Sequence, residues 1–72
     1  METSFPVWLG NLCRDWMSAG GVRGTQRIGQ MFYNRLDRDR PEIAAALTGS
    51  LIDPFYRDEL SSEMLLYVAD RW

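Results

Sequence analysis

The sequence predicts an all-α fold, a small compact bundle of about four helices with a short ordered turn at Asp53–Arg57. Apolar residues recur every three to four positions in several segments, which places them on one face of a helix. Proline, glycine and serine or threonine separate these segments, and none alternates apolar and polar residues for long enough to form a β-strand. A chain of 72 residues has room for one core, so we expect a single helical domain over residues 1–72.

The first helix is predicted over residues 5–19. Its apolar side chains fall on one broad stripe, formed by Phe5, Trp8, Leu9, Leu12, Cys13, Trp16 and Met17. Ser4 stands where a residue caps a helix N-terminus, and Pro6 is tolerated in a first turn. Gly20-Gly21 follows as a stop signal.

The second helix is predicted to begin at Gly24-Thr25, with Thr25 as its cap. Its inward face is expected to comprise Ile28, Met31, Phe32, Leu36 and the aliphatic stem of Arg35. Gly29 lies within this helix, where glycine costs about 1 kcal/mol relative to alanine. We interpret Gly29 as a site where a neighbouring helix approaches closely; the alternative is a tolerated defect.

A third, short helix is predicted after Pro41. Proline disfavours helical geometry in the residue before it, so Pro41 ends the second helix and starts the next. Asp39 and Glu42 have the spacing of a capping box. The apolar face of this helix is formed by Ile43, Ala44 and Leu47. Thr48-Gly49-Ser50 is expected to end it.

Residues 51–56 predict an ordered connector. Asp53 precedes a proline, which favours a turn, and its carboxylate is placed to cap a helical turn at Pro54–Arg57. The aromatic side chains of Phe55 and Tyr56 are expected to fill the core.

The last helix is predicted to begin at Ser61 or Ser62, either of which is a favourable cap. Its inward side chains are expected to be Met64, Leu65, Val68 and Trp72. Acidic residues near its start and Arg71 at its end complement the helix dipole.

Charge is distributed unevenly along the chain. The net charge is −2, but residues 23–40 carry a net +3 and residues 41–72 a net −4. The single cysteine cannot form an intramolecular disulfide, which favours a reducing compartment. No stretch approaches the roughly 20 apolar residues of a membrane span, and no signal-peptide pattern is present. We therefore expect a cytoplasmic protein that does not enter a membrane.

Residues that could carry catalysis are scarce. The chain has no histidine, which excludes Ser-His-Asp, Cys-His and His-containing zinc sites. Cys13 lies on the apolar stripe of the first helix, where a thiol is expected to be inert. Asp58, Glu59 and Glu63 fit charge at a helix N-terminus better than a metal or acid–base site. We predict no enzyme activity, no catalytic residue, no metal and no cofactor.

An arginine-bearing segment, residues 23–40, is the candidate for nucleic-acid contact. Its candidate phosphate ligands are Arg23, Arg27, Arg35 and Arg38. Asp37 and Asp39 are interleaved with these arginines, and the chain as a whole is acidic, whereas nucleic-acid-binding domains are typically basic. Nucleic-acid binding is therefore the alternative hypothesis rather than the first.

Aromatic side chains are numerous for so short a chain, and tryptophan and tyrosine are enriched in protein interfaces. The candidate interface residues are Trp8, Trp16, Tyr33 and Tyr67. Trp8 and Trp16 lie on the stripe of the first helix, while Tyr33 and Tyr67 lie off the main stripes of theirs. The alternative is that these side chains pack at the edge of the core with hydrated polar groups.

A spaced pattern runs from Arg27 to the end of the sequence, over about two-thirds of the chain. It consists of Arg27, Gly29-Gln30, Tyr33-Asn34, Leu36, Arg40-Pro41, Thr48, Asp53-Pro54-Phe55-Tyr56, Asp58, Leu65, Val68 and Trp72. In this pattern the chain resembles a family of short, uncharacterised bacterial and actinobacteriophage proteins. That family has tryptophan where Tyr67 stands and an additional proline near Ser62. The resemblance implies a phage-encoded or phage-derived protein and no known reaction.

These observations favour a non-enzymatic, helical protein–protein interaction module. We expect it to bind a host protein or to self-associate as a homodimer, since an interface would cover apolar surface that a small domain leaves exposed.

Overall fold

The computed structural model describes residues 3–72, which form four α-helices and one turn of 3-10 helix and contain no β-strand. The helices are α1 (Phe5–Ser18), α2 (Ile28–Asp39), α3 (Pro41–Leu47) and α4 (Ser62–Arg71), and the 3-10 turn spans Gly21–Arg23. The predicted all-α class is confirmed. No helix in this part of the chain is long and apolar enough to cross a membrane.

All four helices contribute to one core. The buried apolar residues are Phe5, Trp8 and Leu12 of α1, Phe32 and Leu36 of α2, Ile43, Ala44 and Leu47 of α3, and Met64 and Val68 of α4. Each set recurs at helical spacing, so the predicted stripes identified the inward faces correctly. Among the described residues, the most extensive contact between helices is that of α2 with α3.

The predicted stripe of α1 extends further along the chain than its burial does. Met17 is 70% exposed and Trp16 is half-buried, and the last fully buried residue of α1 is Leu12. Ser4 occupies the N-cap position as expected, but its side chain makes no capping hydrogen bond. Cys13 is half-buried and packs against the core.

The second helix begins at Ile28 with Arg27 at the N-cap position, two residues after Thr25, the predicted cap. Glycines hold the preceding segment in a tight loop, in which Gly20 and Gly21 have φ angles of 109° and 56°, the left-handed region that favours glycine. Trp16 then donates its indole N–H to the carbonyl oxygen of Gln26 at 2.9 Å, which keeps this segment out of the helix.

Gly29 is a site of close approach, as interpreted, but the neighbour is the connector rather than a helix. A Cβ atom at this position would overlap the carbonyl oxygen of Pro54 and lie 2.6 Å from that of Arg57. The turn at 54–57 therefore lies directly on the backbone of α2, and only glycine leaves room for it.

Pro41 is the first residue of α3, as predicted, but the capping box is wrong. Arg40 is the residue at the N-cap position, and no side chain caps the helix. Asp39 lies one residue too early, and its carboxylate instead accepts hydrogen bonds from Trp8 and Arg38. The Asp39 carboxylate, which the local pattern predicted as a helix cap, is instead bound by Trp8, 31 residues away in the sequence.

The connector contains the predicted turn at Asp53–Arg57. The carboxylate of Asp53 accepts hydrogen bonds from the backbone N–H groups of Phe55 (3.0 Å) and Gly49 (2.9 Å), and the N–H of Arg57 donates to the carbonyl of Pro54. The expectation that its aromatic residues fill the core is wrong, because Phe55 is half-buried and Tyr56 is exposed. The buried ring here is that of Pro54.

Ser61 caps α4, since its hydroxyl oxygen accepts a hydrogen bond from the N–H of Met64 at 3.2 Å. After the last turn of α4, the indole N–H of Trp72 donates to the carbonyl oxygen of Thr3 at 2.7 Å. This bond joins the two ends of the described chain and places Trp72 against α1.

Candidate protein-binding surfaces

Four aromatic rings pack against one another at one end of the molecule, which we name the aromatic end. They are Phe5, Trp8, Phe32 and Trp72. Trp8 lies edge-on to Phe32 with ring centroids 5.2 Å apart, and its centroid is 5.1 Å from that of Trp72. Trp8 is 7% exposed, and its indole N–H donates to the carboxylate of Asp39 at 2.8 Å. Trp8 is therefore mainly a core residue, and only an edge of its ring borders a surface depression that is also lined by Asp39, Arg40 and Trp72.

Asp39 is fixed by two donors. The guanidinium of Arg38 donates to both of its carboxylate oxygens, at 2.8 and 3.0 Å, and Trp8 supplies the third hydrogen bond. The Arg38 hydrogen bond, followed by that of Trp8, lowers the pKa of Asp39 from 3.8 to about 2. Next to this carboxylate, the guanidinium of Arg40 lies 4.5 Å from the centroid of a Trp72 ring.

A second region, the Trp16 cleft, lies between the end of α1 and the start of α2. Its apolar walls are Trp16, Val22 and Ile28, and it encloses about 460 Å³. The Trp16 indole is already bonded to a loop carbonyl. An ion pair between Arg27 and Asp58, at 3.2 Å, lies at its edge.

Tyr33 lies apart from both regions. Its hydroxyl is 2.5 Å from that of Thr48, and because the Thr48 hydroxyl donates to the carbonyl of Ala44, Tyr33 is the donor in this pair. The Tyr33 ring packs edge-on against Phe55, with centroids 5.5 Å apart. These contacts link α2 to the end of α3 and to the connector, which is a structural role.

The third region, which we name the α4 groove, is a shallow depression of about 620 Å³ on the outer face of α4. It is lined by Ile52, Glu63, Leu66, Tyr67, Ala69, Asp70 and Arg71. Leu66 is 70% exposed, and Leu51, next to Ile52 in the chain, is 93% exposed.

Tyr67 forms one wall of the α4 groove together with Arg71. The guanidinium of Arg71 lies 3.5 Å from the Tyr67 ring centroid and donates to the Tyr67 carbonyl oxygen at 3.2 Å. Its distance to the carboxylate of Asp70 is 3.8 Å. Arg71 is thus held at the C-terminal end of the helix, where the backbone carbonyls favour a cation.

The four aromatic residues singled out in the sequence do not form one surface. Trp8 is in the core, Trp16 lines its own cleft, Tyr33 bonds to Thr48, and Tyr67 lies in the α4 groove. Sequence reasoning missed Leu66 as a candidate. The signal was present, because residues 64–68 are all apolar and the inward positions 64, 65 and 68 leave Leu66 on the opposite side of a helix.

The candidate nucleic-acid ligands are largely neutralised. Arg35 pairs with Asp15 at 2.7 Å, and Arg27 and Arg38 each have an aspartate partner within 3.2 Å. Arg23 is exposed in the 3-10 turn. The arginines point to carboxylates from α1, from the connector and from α2 itself, so they do not form an unbroken basic row.

The acidic residues do not assemble into a site either. Within residues 3–72, no group of three or more cysteine, aspartate or glutamate side chains is placed to hold a metal ion. Asp58 is engaged with Arg27, while Glu63 lies along α4 in the groove.

Comparisons with known proteins gave no relative: no family model, curated protein or solved structure matches the chain. The resemblance to bacterial and actinobacteriophage proteins therefore stays a prediction.

Proposed function

We propose that this protein is a non-enzymatic interaction module that binds a protein partner through the α4 groove. The observation that carries the proposal is the exposure of Leu66 within a groove that also contains Ile52 and Tyr67. Fully burying a leucine side chain is worth about 1.5–3 kcal/mol. A partner that covers this groove gains that energy, whereas α4 folds without using it.

The resemblance to actinobacteriophage proteins makes a host protein the expected partner and a phage the expected source of the chain. The single cysteine favours a reducing cytoplasm as the place where the two proteins meet. Self-association through the same groove is the competing form of the proposal.

The test is a pull-down with the full chain and with two variants matched for exposure. Leu66→Gln removes the apolar side chain from the groove, and Met17→Gln makes the same change at the distant end of α1, where the methionine is also 70% exposed. We expect Leu66→Gln to weaken capture of the partner by at least about tenfold, or 1.4 kcal/mol, and Met17→Gln to leave it unchanged.

Loss of capture in the Met17 variant alone would move the binding surface to the exposed C-terminal end of α1 and contradict the proposal. Sedimentation of the purified chain decides between the two partners. A dimer that dissociates on Leu66→Gln indicates self-association, and a monomer indicates a separate protein.

Nucleic-acid binding through Arg23, Arg27, Arg35 and Arg38 competes with this proposal. Three of the four have carboxylate partners within 3.2 Å, which argues against it. A band shift on duplex or single-stranded DNA or RNA at low salt, lost as ionic strength rises, would favour it over protein binding.

A further inference from the structure

The α4 groove combines an apolar floor with carboxylates at both ends. Glu63 and Asp70 are seven residues apart on α4, so they lie about 10 Å apart along the helix axis. Leu66 and Ala69 lie between them on the same face. The pattern along this face is acidic, apolar, apolar, acidic.

These two carboxylates are available to a partner. No arginine within residues 3–72 lies within salt-bridge distance of Glu63. Among residues 3–72, the one cation in contact with Asp70 is Arg71, at 3.8 Å, and the Asp70 side chain is 83% exposed. Exposed ion pairs of that length contribute little, and Arg71 is held mainly by Tyr67.

Apolar side chains one turn apart on an exposed helix face fit the grooves of a second helix. Ala69 is small and permits a close approach, while Ile52 and Tyr67 give the groove apolar walls. The arrangement is that of an amphipathic helix laid along a groove, in which apolar anchors enter the depression and charged residues flank it.

The groove lining carries two carboxylates, Glu63 and Asp70, against one guanidinium, that of Arg71, so charge complementarity favours a cationic occupant. We infer that the α4 groove binds a cationic amphipathic helix of the partner, with lysine or arginine side chains on either side of an apolar stripe. This inference rests on the proposed function and names its partner class. An acidic helix would place like charges beside Glu63 and Asp70, which is unfavourable.

A second copy of the chain fits this groove less well than a cationic helix. In a twofold pairing of two α4 helices that run antiparallel, Glu63 of one copy would lie opposite Asp70 of the other, and the groove lining supplies one arginine, Arg71, for every two carboxylates. The carboxylates that attract a basic helix therefore oppose self-association.

The test uses two synthetic peptides of about 18 residues, or five helical turns, labelled with a fluorophore. One has leucines at helical spacing with lysines elsewhere, and the other has glutamates in place of the lysines. Binding to the full chain is measured by fluorescence anisotropy. We expect the leucine–lysine peptide to bind at least about tenfold more tightly than the leucine–glutamate peptide, with the preference shrinking at high salt.

The double variant Glu63→Gln/Asp70→Asn tests the role of the two carboxylates. We expect it to weaken binding of the leucine–lysine peptide about tenfold. The matched control is Asp37→Asn/Glu59→Gln, which changes the net charge equally at exposed positions outside the groove. It should alter the affinity less than about twofold. Equal losses in the two double variants would mean non-specific attraction and would overturn the inference.

The remaining outcomes separate this inference from the proposed function. If both peptides bind equally and Leu66→Gln weakens both, the inferred cationic partner is wrong, but the α4 groove is still the binding surface. If neither peptide binds but the pull-down captures a partner that depends on Leu66, the inferred partner class is wrong and the proposed function is supported. If peptides and pull-down both show no dependence on Leu66, both proposals fail.

Discussion

The aromatic end and the α4 groove use apolar side chains in opposite ways. At the aromatic end, four rings pack on one another, and both indole N–H groups have an acceptor, Asp39 for Trp8 and the carbonyl of Thr3 for Trp72. In the α4 groove, Leu66 is exposed and Glu63 has no cationic partner within the described chain.

This comparison distinguishes apolar side chains that hold the fold together from apolar side chains that remain exposed to solvent. The sequence singled out large aromatic residues as interface candidates. In the structure, Trp8 and Trp72 instead pack against other rings and donate hydrogen bonds that join distant parts of the chain. The surface that we propose for a partner contains the smaller apolar residues Ile52, Leu66 and Ala69 beside Tyr67, and single apolar side chains of this kind cost the isolated domain little when exposed.

The largest expected effect comes from Gly29→Ala, which breaks the contact that holds the connector on α2. The added Cβ would overlap the Pro54 carbonyl oxygen. We expect a loss of about 3 kcal/mol in the free energy of unfolding, measured by urea denaturation.

The control for this variant is Gly10→Ala. Gly10 is also inside a helix, but nothing lies within 4 Å of a Cβ placed there. This variant should gain up to about 1 kcal/mol. Equal effects of the two substitutions would show that the connector does not lie on α2.

The next effect compares the two faces of α4 directly. Met64 is buried and Leu66 is exposed. We expect Met64→Ala to cost about 2–3 kcal/mol, because it leaves a cavity, and Leu66→Ala to change stability by less than about 0.5 kcal/mol. Thermal unfolding followed by circular dichroism measures both. A costly Leu66→Ala would mean that this side chain is part of the core and not of a binding surface.

A smaller effect concerns the pH dependence of the aromatic end. Because folding lowers the pKa of Asp39 from 3.8 to about 2, its carboxylate stabilises the fold above pH 4, and this contribution is lost as the pH falls from about 4 to about 2. Solvent screening limits it to about 1 kcal/mol.

The variant Asp39→Asn should therefore be less stable than the parent at pH 7 and equally stable near pH 2. Urea denaturation at both pH values gives the comparison. A constant difference would show that the ionised carboxylate contributes nothing.

The smallest effect is that of Trp16→Phe. The substitution removes the indole N–H that bonds to the Gln26 carbonyl and keeps most of the ring. We expect a loss of about 0.5 kcal/mol in the free energy of unfolding and faster amide hydrogen exchange in residues 20–27. Unchanged exchange there would contradict the role assigned to this bond.

Local sequence patterns predicted much of this fold. Apolar spacing identified the inward face of each helix, and Pro41 and Ser61 marked helix starts, because both signals depend on neighbouring residues alone. The start of α2 and the role of Asp39 could not be predicted in that way. Both depend on tryptophans far away in the sequence or across a loop, Trp16 for the loop and Trp8 for the carboxylate.

The candidate surface was predicted less well than the fold. Tyr67 was identified, but Leu66 was not, although the apolar run at 64–68 exceeds what one helix face can bury. Ile52 joins the groove only because the connector folds back beside α4, which no local pattern encodes.

Whether the α4 groove is the binding surface is tested most directly by nuclear magnetic resonance. Backbone amide chemical shifts are mapped in the isotope-labelled chain as it is titrated with the leucine–lysine peptide. We expect changes concentrated at residues 51–52 and 63–71, with the Trp8 indole N–H signal unchanged. Chemical-shift changes centred on Trp16, Val22 and Ile28, with no change at the α4 groove, would contradict the proposed binding surface.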